Sequence, residues 1–150
     1  MSSSTQQKTT LETSCHCGAM TISAPQLPPY LNECQCSICR RYGAQWAYYQ
    51  VQDIQINGQP AIISGPDLKD TTTSGYMWVD KSSSFDCCKA CGCVMYWFPV
   101  DAKEGEAKMG INARVVTDPF SLRFVEKRIT YQDAIIVKEG VYDENGPVRK

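Results

Sequence analysis

Apolar and polar residues alternate along most of the chain, and this period of two is typical of strands rather than helices. The alternation is clearest in four short segments, which span residues 19–23, 47–51, 54–56 and 94–98. Turn-forming residues separate such segments, at Pro25, Pro28, Pro29, Asn57-Gly58, Gly65-Pro66 and Asn145-Gly146. Short helical turns are predicted only at 37–42 and 131–134. The pattern therefore predicts a mostly β domain built from antiparallel strands.

The organisation of the chain is predicted to be simple. Residues 1–9 are rich in Ser, Thr and Gln and are predicted to be a disordered lead. Residues 10–150 contain no internal repeat and no linker, so we expect a single domain. Residues 69–84 contain many Thr, Ser and Gly residues and are predicted to form a long hairpin or a surface loop.

The beginning of the chain has no basic segment followed by an apolar one, so no secretory signal is predicted. The longest mostly apolar run, residues 94–100, is far shorter than the ~20 residues that a membrane-spanning helix needs. We therefore expect a cytoplasmic protein with no membrane partner. Lys plus Arg number 15 against 16 for Asp plus Glu, and no basic block is present, which argues against a nucleic-acid partner.

The content of cysteine and histidine restricts the chemistry. The chain has 9 Cys and 1 His, so sites that require several imidazoles, such as zinc held by three histidines, are excluded. The cysteines occur in three groups whose members are too close along the chain for a conventional disulfide pattern. In a reducing compartment this arrangement favours metal binding over disulfides.

Two cysteine motifs together offer four sulfur ligands. Cys15 and Cys17 are two residues apart and are expected on the same face of an extended segment, whereas His16 between them points the other way. Cys88 and Cys91 form a CxxCG knuckle, in which Gly allows the backbone angles of the tight turn. The four thiolates would complete a tetrahedral shell, so we predict a structural zinc ion there.

A third motif, CxCxxC, is different because it supplies three sulfurs locally, from Cys34, Cys36 and Cys39. Zinc with three protein ligands keeps a fourth position for a water, a thiol or a carbonyl oxygen, which is typical of catalytic zinc. The alternative is that Cys87 or Cys93 closes this site, and both metals would then be architectural. Spacing alone leaves the two alternatives open.

The residues that follow the CxCxxC motif are candidates for substrate binding. Arg40 and Arg41 can pair with a substrate carboxylate through the fork of the guanidinium group, although exposed arginines without such a role are common. Tyr42 can donate a hydrogen bond, although packing is the commoner role of Tyr in a sheet protein.

These motifs resemble those of the glutathione-dependent formaldehyde-activating enzymes and their centromere protein V-like relatives. The similarity covers CHCGA at 15–19, CQCSICRRYGA at 34–44, CKACG at 88–92 and GINAR at 110–114. It differs at Gln35, where the family often has His, and in the displaced aromatic residue Phe85. The resemblance implies a β-tent fold of several small antiparallel sheets. It also implies a structural zinc on Cys15, Cys17, Cys88 and Cys91 and a catalytic zinc on Cys34, Cys36 and Cys39.

The function implied by the resemblance is that of a zinc-dependent carbon–sulfur lyase or synthase, which joins glutathione to formaldehyde or another small aldehyde. Arg40 or Arg41 would then bind a glutathione carboxylate, and Tyr42 or Asn112 would hydrogen-bond the substrate oxygen. One alternative is glutathione-assisted lyase or isomerase chemistry on a larger metabolite, for which Trp46, Tyr48, Tyr76, Trp78 and Trp97 would form an aromatic pocket. The other is a non-catalytic zinc module that binds a protein. The sequence leaves open whether the chain forms a homo-oligomer.

Overall fold

The computed structural model of the chain describes residues 9–61, 73–77, 83–100, 107–131 and 135–137. Twelve strands account for most of the regular structure of these residues. The strands are β1 (Leu11–Ser14), β2 (Thr21–Ala24), β3 (Tyr30–Cys34), β4 (Trp46–Gln50), β5 (Gln55–Ile56), β6 (Gln59–Pro60), β7 (Thr73–Met77), β8 (Ser83–Cys88), β9 (Val94–Pro99), β10 (Lys108–Asn112), β11 (Glu126–Thr130) and β12 (Ile135–Val137). One short helix, α1 (Cys39–Tyr42), and 3-10 turns at Val51–Asp53, Ala113–Val115 and Pro119–Leu122 complete the list.

The strands form two sheets, and the predicted mostly β class is confirmed. A four-stranded sheet has the order β1-β2-β5-β6, and an eight-stranded sheet has the order β12-β11-β3-β4-β10-β9-β8-β7. The strand pairs are antiparallel apart from β3 and β11, which run parallel with Tyr30 beside Glu126 and Cys34 beside Thr130. The sheets are thus fewer and larger than the resemblance implies, and parallel pairing was not expected.

The two faces of the eight-stranded sheet have different roles. Alternate residues of its central strands, among them Leu31, Ala47 and Ile111, are fully buried against Leu11 and Ile22 of the four-stranded sheet. The residues between them point to the opposite face. That face carries a second, smaller cluster of buried residues, which consists of Ile38, Cys39, Ala44, Trp46 and Phe85. Period-two alternation therefore separates the main core from the face on which the candidate site lies.

Several local predictions are confirmed. Asn57 and Gly58 join β5 to β6 with φ of 51° and 76°, which are the left-handed angles of a two-residue hairpin turn. The helix α1 lies within the predicted helical turn, and β7, which lies within the predicted segment 69–84, pairs antiparallel with β8, which begins in that segment and continues to Cys88. Residues 1–8, 132–134, Trp78 and the predicted turns at 65–66 and 145–146 lie outside the described residues. In the part of the chain that the structure describes, no helix is long and apolar enough to cross a membrane.

Candidate functional site

Four cysteines from two distant turns meet at one point. Cys15 and Cys17 come from the β1–β2 connection, and Cys88 and Cys91 from the β8–β9 connection, with all four sulfur atoms within 4.8 Å of one another. Cys17 Sγ lies 3.6 Å from both Cys15 Sγ and Cys88 Sγ. Sulfurs around a tetrahedral zinc with bonds of ~2.3 Å are about 3.8 Å apart. The arrangement therefore fits a closed site with four thiolate ligands.

The backbone around this cluster is built to stabilise thiolates. The Met20 N–H donates to Cys15 Sγ at 3.2 Å, and Gly92, with φ of 78°, lets its N–H reach the Cys88 carbonyl at 2.8 Å. The backbone N–H groups of Cys93 and then Cys17 lower the pKa of Cys91 to about 5. Such donors are typical of the surroundings of metal-bound sulfur.

The thiols of this cluster cannot all ionise together without a cation. The Ala19 N–H acts to lower the pKa of Cys17, but the neighbouring sulfurs of Cys15 and Cys88 and burial outweigh it and raise that pKa to about 12. Repulsion between thiolates at this separation is relieved when a divalent metal is bound. The donor set and its charge requirements thus fit a soft divalent metal such as zinc.

The second cluster is formed by three cysteines within one short segment. Cys34 ends β3, Cys36 lies in the following turn and Cys39 begins α1, and their sulfurs lie within 4.8 Å of one another. The Cys39 N–H approaches Cys36 Sγ at 3.5 Å, and Gly43, with φ of 62°, ends the helix. The local turn is therefore sufficient to bring the three ligands together.

A buried tryptophan supports this second cluster. Trp46 Nε1 is buried and has no complete hydrogen bond within the described ranges. Burial raises the pKa of the Cys39 thiol well above its usual value, and the Trp46 indole is the group that acts most strongly against this effect. The indole N–H is thus close to the sulfur without being fully hydrogen-bonded to it. A dedicated N–H group beside Cys39 fits a sulfur that carries negative charge when it binds a metal.

The remaining cysteines do not join the three-cysteine cluster. Cys93 interacts with Cys91 and with the backbone of His16, so it lies at the edge of the four-cysteine cluster. The pKa of the Tyr42 phenol is raised mainly by burial and, to a smaller extent, by the nearby Cys87 thiol. His16 is exposed and is not part of either cluster. Among the residues that the structure describes, the second cluster therefore has three ligands.

A cavity of about 300 Å³ opens on the face of the sheet that carries the three-cysteine cluster. Tyr48 and Trp97 belong to its wall and also pack in the same group of side chains as Cys34 and Cys39. Their rings are 6.2 Å apart and meet edge to face. The cavity is lined by Tyr30, Asn32, Tyr48, Trp97, Lys108, Arg128 and Thr130. It therefore adjoins the three-cysteine cluster, and its wall is aromatic and polar.

A chain of hydrogen bonds orients the hydroxyl group of Tyr48. Thr130 Oγ1 donates to Asn32 Oδ1, and Asn32 Nδ2 donates to Tyr48 Oη at 2.8 Å. Because the tyrosine oxygen accepts this bond, its own proton is available for another acceptor. Burial raises the pKa of Tyr48 to about 12, although the Asn32 bond acts to lower it. Tyr48 therefore remains a hydrogen-bond donor at neutral pH.

The predicted substrate-binding residues lie around α1 rather than in the cavity wall. Arg40 and Arg41 are exposed, and Arg41 Nη1 donates to the Ser37 carbonyl at 2.6 Å. The Tyr42 ring packs 5.9 Å from the Phe85 ring. Asn112 accepts from the backbone N–H groups of Gln45 and Arg114 and donates to the Val94 carbonyl. Its bonds hold the backbone together, and none of the four residues lines the cavity.

Of the predicted aromatic pocket, Tyr48 and Trp97 line the cavity, whereas Trp46 is buried in the second, smaller cluster of buried residues and Tyr76 is exposed on β7. The other residues of the cavity wall, Tyr30, Asn32, Lys108, Arg128 and Thr130, were not predicted from the sequence. Each lies on a strand with the same inside–outside alternation as its neighbours, but no spacing motif links β3, β10 and β11. Predicting that these residues share a cavity would have required the pairing of the strands, which the sequence does not provide.

The fold and the two clusters define a mostly β protein with sites suited to thiolate-bound metal. The profile of the family described as glutathione-dependent formaldehyde-activating enzyme matches residues 10–127, and the chain belongs to this family. The activity that gives the family its name is the glutathione-dependent activation of formaldehyde.

A solved structure has a similar fold. The crystal structure of a Rhodobacter sphaeroides protein is similar in fold, with a TM-score of 0.56 and 22% sequence identity over 80% of this chain and 100% of that chain. No curated protein sequence gives a significant match. The solved structure shows the fold alone, and the family profile shows the family.

Proposed function

We propose that the chain is a zinc-dependent carbon–sulfur lyase that joins glutathione to formaldehyde, or reverses that step. The observation that carries the proposal is the three-cysteine cluster, which has three sulfur ligands among the described residues and adjoins a cavity of about 300 Å³ through Tyr48 and Trp97. Zinc with three protein ligands keeps a fourth position for a non-protein ligand. The four-cysteine cluster would hold a second, structural zinc ion. None of the nine cysteines is joined in a disulfide, which fits a reducing location, and we propose the cytoplasm.

The reaction is an addition without a change of oxidation state. The sulfur of the thiol forms a bond with the aldehyde carbon, the carbon–oxygen π bond opens, and the thiol proton ends on the former carbonyl oxygen. A zinc ion bound by Cys34, Cys36 and Cys39 would lower the pKa of a thiol in its fourth position and so supply the nucleophile at neutral pH.

The residues of the cavity have defined roles in this proposal. Tyr48 donates a hydrogen bond to the aldehyde oxygen, on which negative charge develops as the carbon–sulfur bond forms. Asn32 and Thr130 fix the direction of that donor through their hydrogen bonds. Because Arg40 and Arg41 do not line the cavity, they would contact the ligand only where it extends beyond the cavity towards α1. The bonds of Asn112 favour a structural role over contact with substrate.

The first test is activity. Purified protein loaded with zinc, mixed with glutathione and formaldehyde, should form S-(hydroxymethyl)glutathione faster than the two compounds do alone, as followed by NMR exchange of the formaldehyde carbon. Cys36→Ser should remove this acceleration, because it removes one of the three metal ligands. The matched controls are Cys87→Ser and Cys93→Ser, which should retain it. Loss of activity in either control would mean that the site is closed by that cysteine.

The second test concerns the metal. X-ray absorption should find one zinc with four sulfur ligands and one with three sulfurs and a nitrogen or oxygen ligand. Two zinc ions with four sulfurs each would remove the basis of the proposal and favour the non-catalytic module.

A larger aldehyde is the second candidate for the acceptor. The aromatic wall formed by Tyr30, Tyr48 and Trp97 exceeds what formaldehyde requires. Higher kcat/KM for an aromatic aldehyde than for formaldehyde, with glutathione held constant, would favour this candidate.

A further inference from the structure

Two basic side chains line the cavity at different distances from the three-cysteine cluster. Arg128 is in register with Asn32, which is two residues before Cys34 on β3. Lys108 is on β10, where it pairs with Gln50 at the end of β4. This end of β4 is further from the cysteines than the position of Arg128 is. In sheet order, β3 and β4 lie between the two cations. A ligand that binds both must therefore span the cavity.

Arg128 is held in a fixed orientation. Its guanidinium carbon lies 3.9 Å from the centre of the Tyr30 ring, and its Nε forms an ion pair with Glu126. The terminal nitrogens make no hydrogen bond with the described residues, so the fork remains available to a carboxylate. Glu126 offsets part of the charge, but it does not line the cavity. The stacking means that little side-chain entropy is lost when a ligand binds.

We propose that Lys108 and Arg128 determine the thiol specificity of the enzyme by binding the two carboxylates of a γ-glutamyl tripeptide. The thiol of such a peptide lies between a short glycine arm and a longer γ-glutamyl arm, each of which ends in a carboxylate. With the thiol at the three-cysteine cluster, the short arm reaches Arg128 and the long arm reaches Lys108. This inference rests on the proposed function, because it takes glutathione as the thiol substrate.

The experiment compares glutathione with its ethyl ester at the glycine carboxylate. Arg128→Gln should raise KM for glutathione about tenfold, with kcat unchanged, which corresponds to the loss of one charge-assisted contact. With the ester, Arg128→Gln should leave KM unchanged, because the carboxylate that Arg128 would bind has been replaced by an uncharged ester group. Lys108→Gln should raise KM for both compounds. The control is Arg123→Gln, which removes the same charge from an exposed position between Phe120 and Phe124, away from the cavity.

Equal KM values in Arg128→Gln, Lys108→Gln and the wild type would overturn the inference, as would effects on kcat alone. Calorimetric titration of the wild type with glutathione and with the ester gives an answer that requires no turnover and no variant. Binding that is about tenfold tighter for glutathione supports the inference, and equal affinity contradicts it. Failure of the wild type to accelerate adduct formation would instead count against the proposed function.

Discussion

Tyr48 and Tyr49 are neighbours on β4 but point to opposite faces of the sheet. Tyr48 lines the cavity, whereas the Tyr49 hydroxyl donates to the Gln26 carbonyl at 2.8 Å within the main core. We expect Tyr48→Phe to lower kcat roughly a hundredfold, because it removes a donor aimed at the developing oxyanion. KM for glutathione should change little. Steady-state kinetics with glutathione and formaldehyde measure both constants.

Tyr49→Phe is the matched control for this prediction. It removes the same hydroxyl group from the same strand and should cost about 1 kcal/mol of unfolding free energy through the lost hydrogen bond. Its kcat should equal that of the wild type. A similar fall of kcat in both variants would show that the effect is structural and that Tyr48 does not contact the substrate.

The two cysteine clusters were predictable from the sequence, whereas the residues around them were not. The spacing of Cys34, Cys36 and Cys39 within six positions contains the geometry of a turn, so a local pattern is sufficient. Tyr48 and Arg128 reach the same cavity through strand pairing, which is not encoded in any local spacing. The partners of a side chain in a sheet depend on register, and register is fixed by the whole domain.

The central strands depend on a glycine on the cavity face of β10. A Cβ at Gly110 would lie 2.0 Å from Trp97 Nε1 and 2.6 Å from Cδ1. Gly110→Ala therefore has to displace the Trp97 indole, which is part of the cavity wall. We expect a loss of about 1–3 kcal/mol in the free energy of unfolding and a higher KM for glutathione. Urea denaturation and tryptophan fluorescence measure the stability and the movement of the ring.

A second substitution measures how much of the cost of Gly110→Ala comes from the clash with Trp97. In a Trp97→Ala background the atoms that the new methyl group would meet are gone, so Gly110→Ala should cost much less there than in the wild type. If Gly110→Ala costs the same in both backgrounds, the close approach of Trp97 is not the reason for glycine at this position.

Alternation located four of the twelve described strands, and it gave no information on how the strands are arranged. It located β2, β4, β5 and β9 to within a few residues, because successive residues of a strand lie on opposite faces of its sheet. The parallel pairing of β3 with β11 joins segments that are almost 100 residues apart, as the hydrogen bond between Thr130 and Asn32 illustrates with a separation of 98 residues. Neither segment differs in composition from an antiparallel strand, so the sequence contains no local sign of this pairing.

The two cysteine clusters are expected to contribute very differently to stability. The four-cysteine cluster connects the β1–β2 turn of one sheet with the β8–β9 turn of the other, whereas the three-cysteine cluster closes only a local turn. Cys88→Ser should therefore remove most of the stability, since structural zinc can supply on the order of 10 kcal/mol. Cys36→Ser should leave a folded domain that has lost about one metal ion per chain.

Metal analysis and chemical denaturation of the two variants test this difference. A chelator strong enough to remove both metals from the wild type should produce the state of Cys88→Ser rather than that of Cys36→Ser. Equal loss of stability in the two variants would contradict the division into a structural and a catalytic site.

The two halves of the four-cysteine cluster are far apart in the sequence, and this separation affects when the cluster can form during synthesis. Cys17 and Cys88 are 71 residues apart in the chain. At a synthesis rate of ~5–20 residues per second, Cys17 waits roughly 4 to 14 seconds for its partner to be added. Because two thiols alone bind zinc weakly, binding of the proposed structural zinc would be a late event of synthesis. A zinc ion held there as proposed would be bound only after β8 has been synthesised and Cys88 has come close to Cys17.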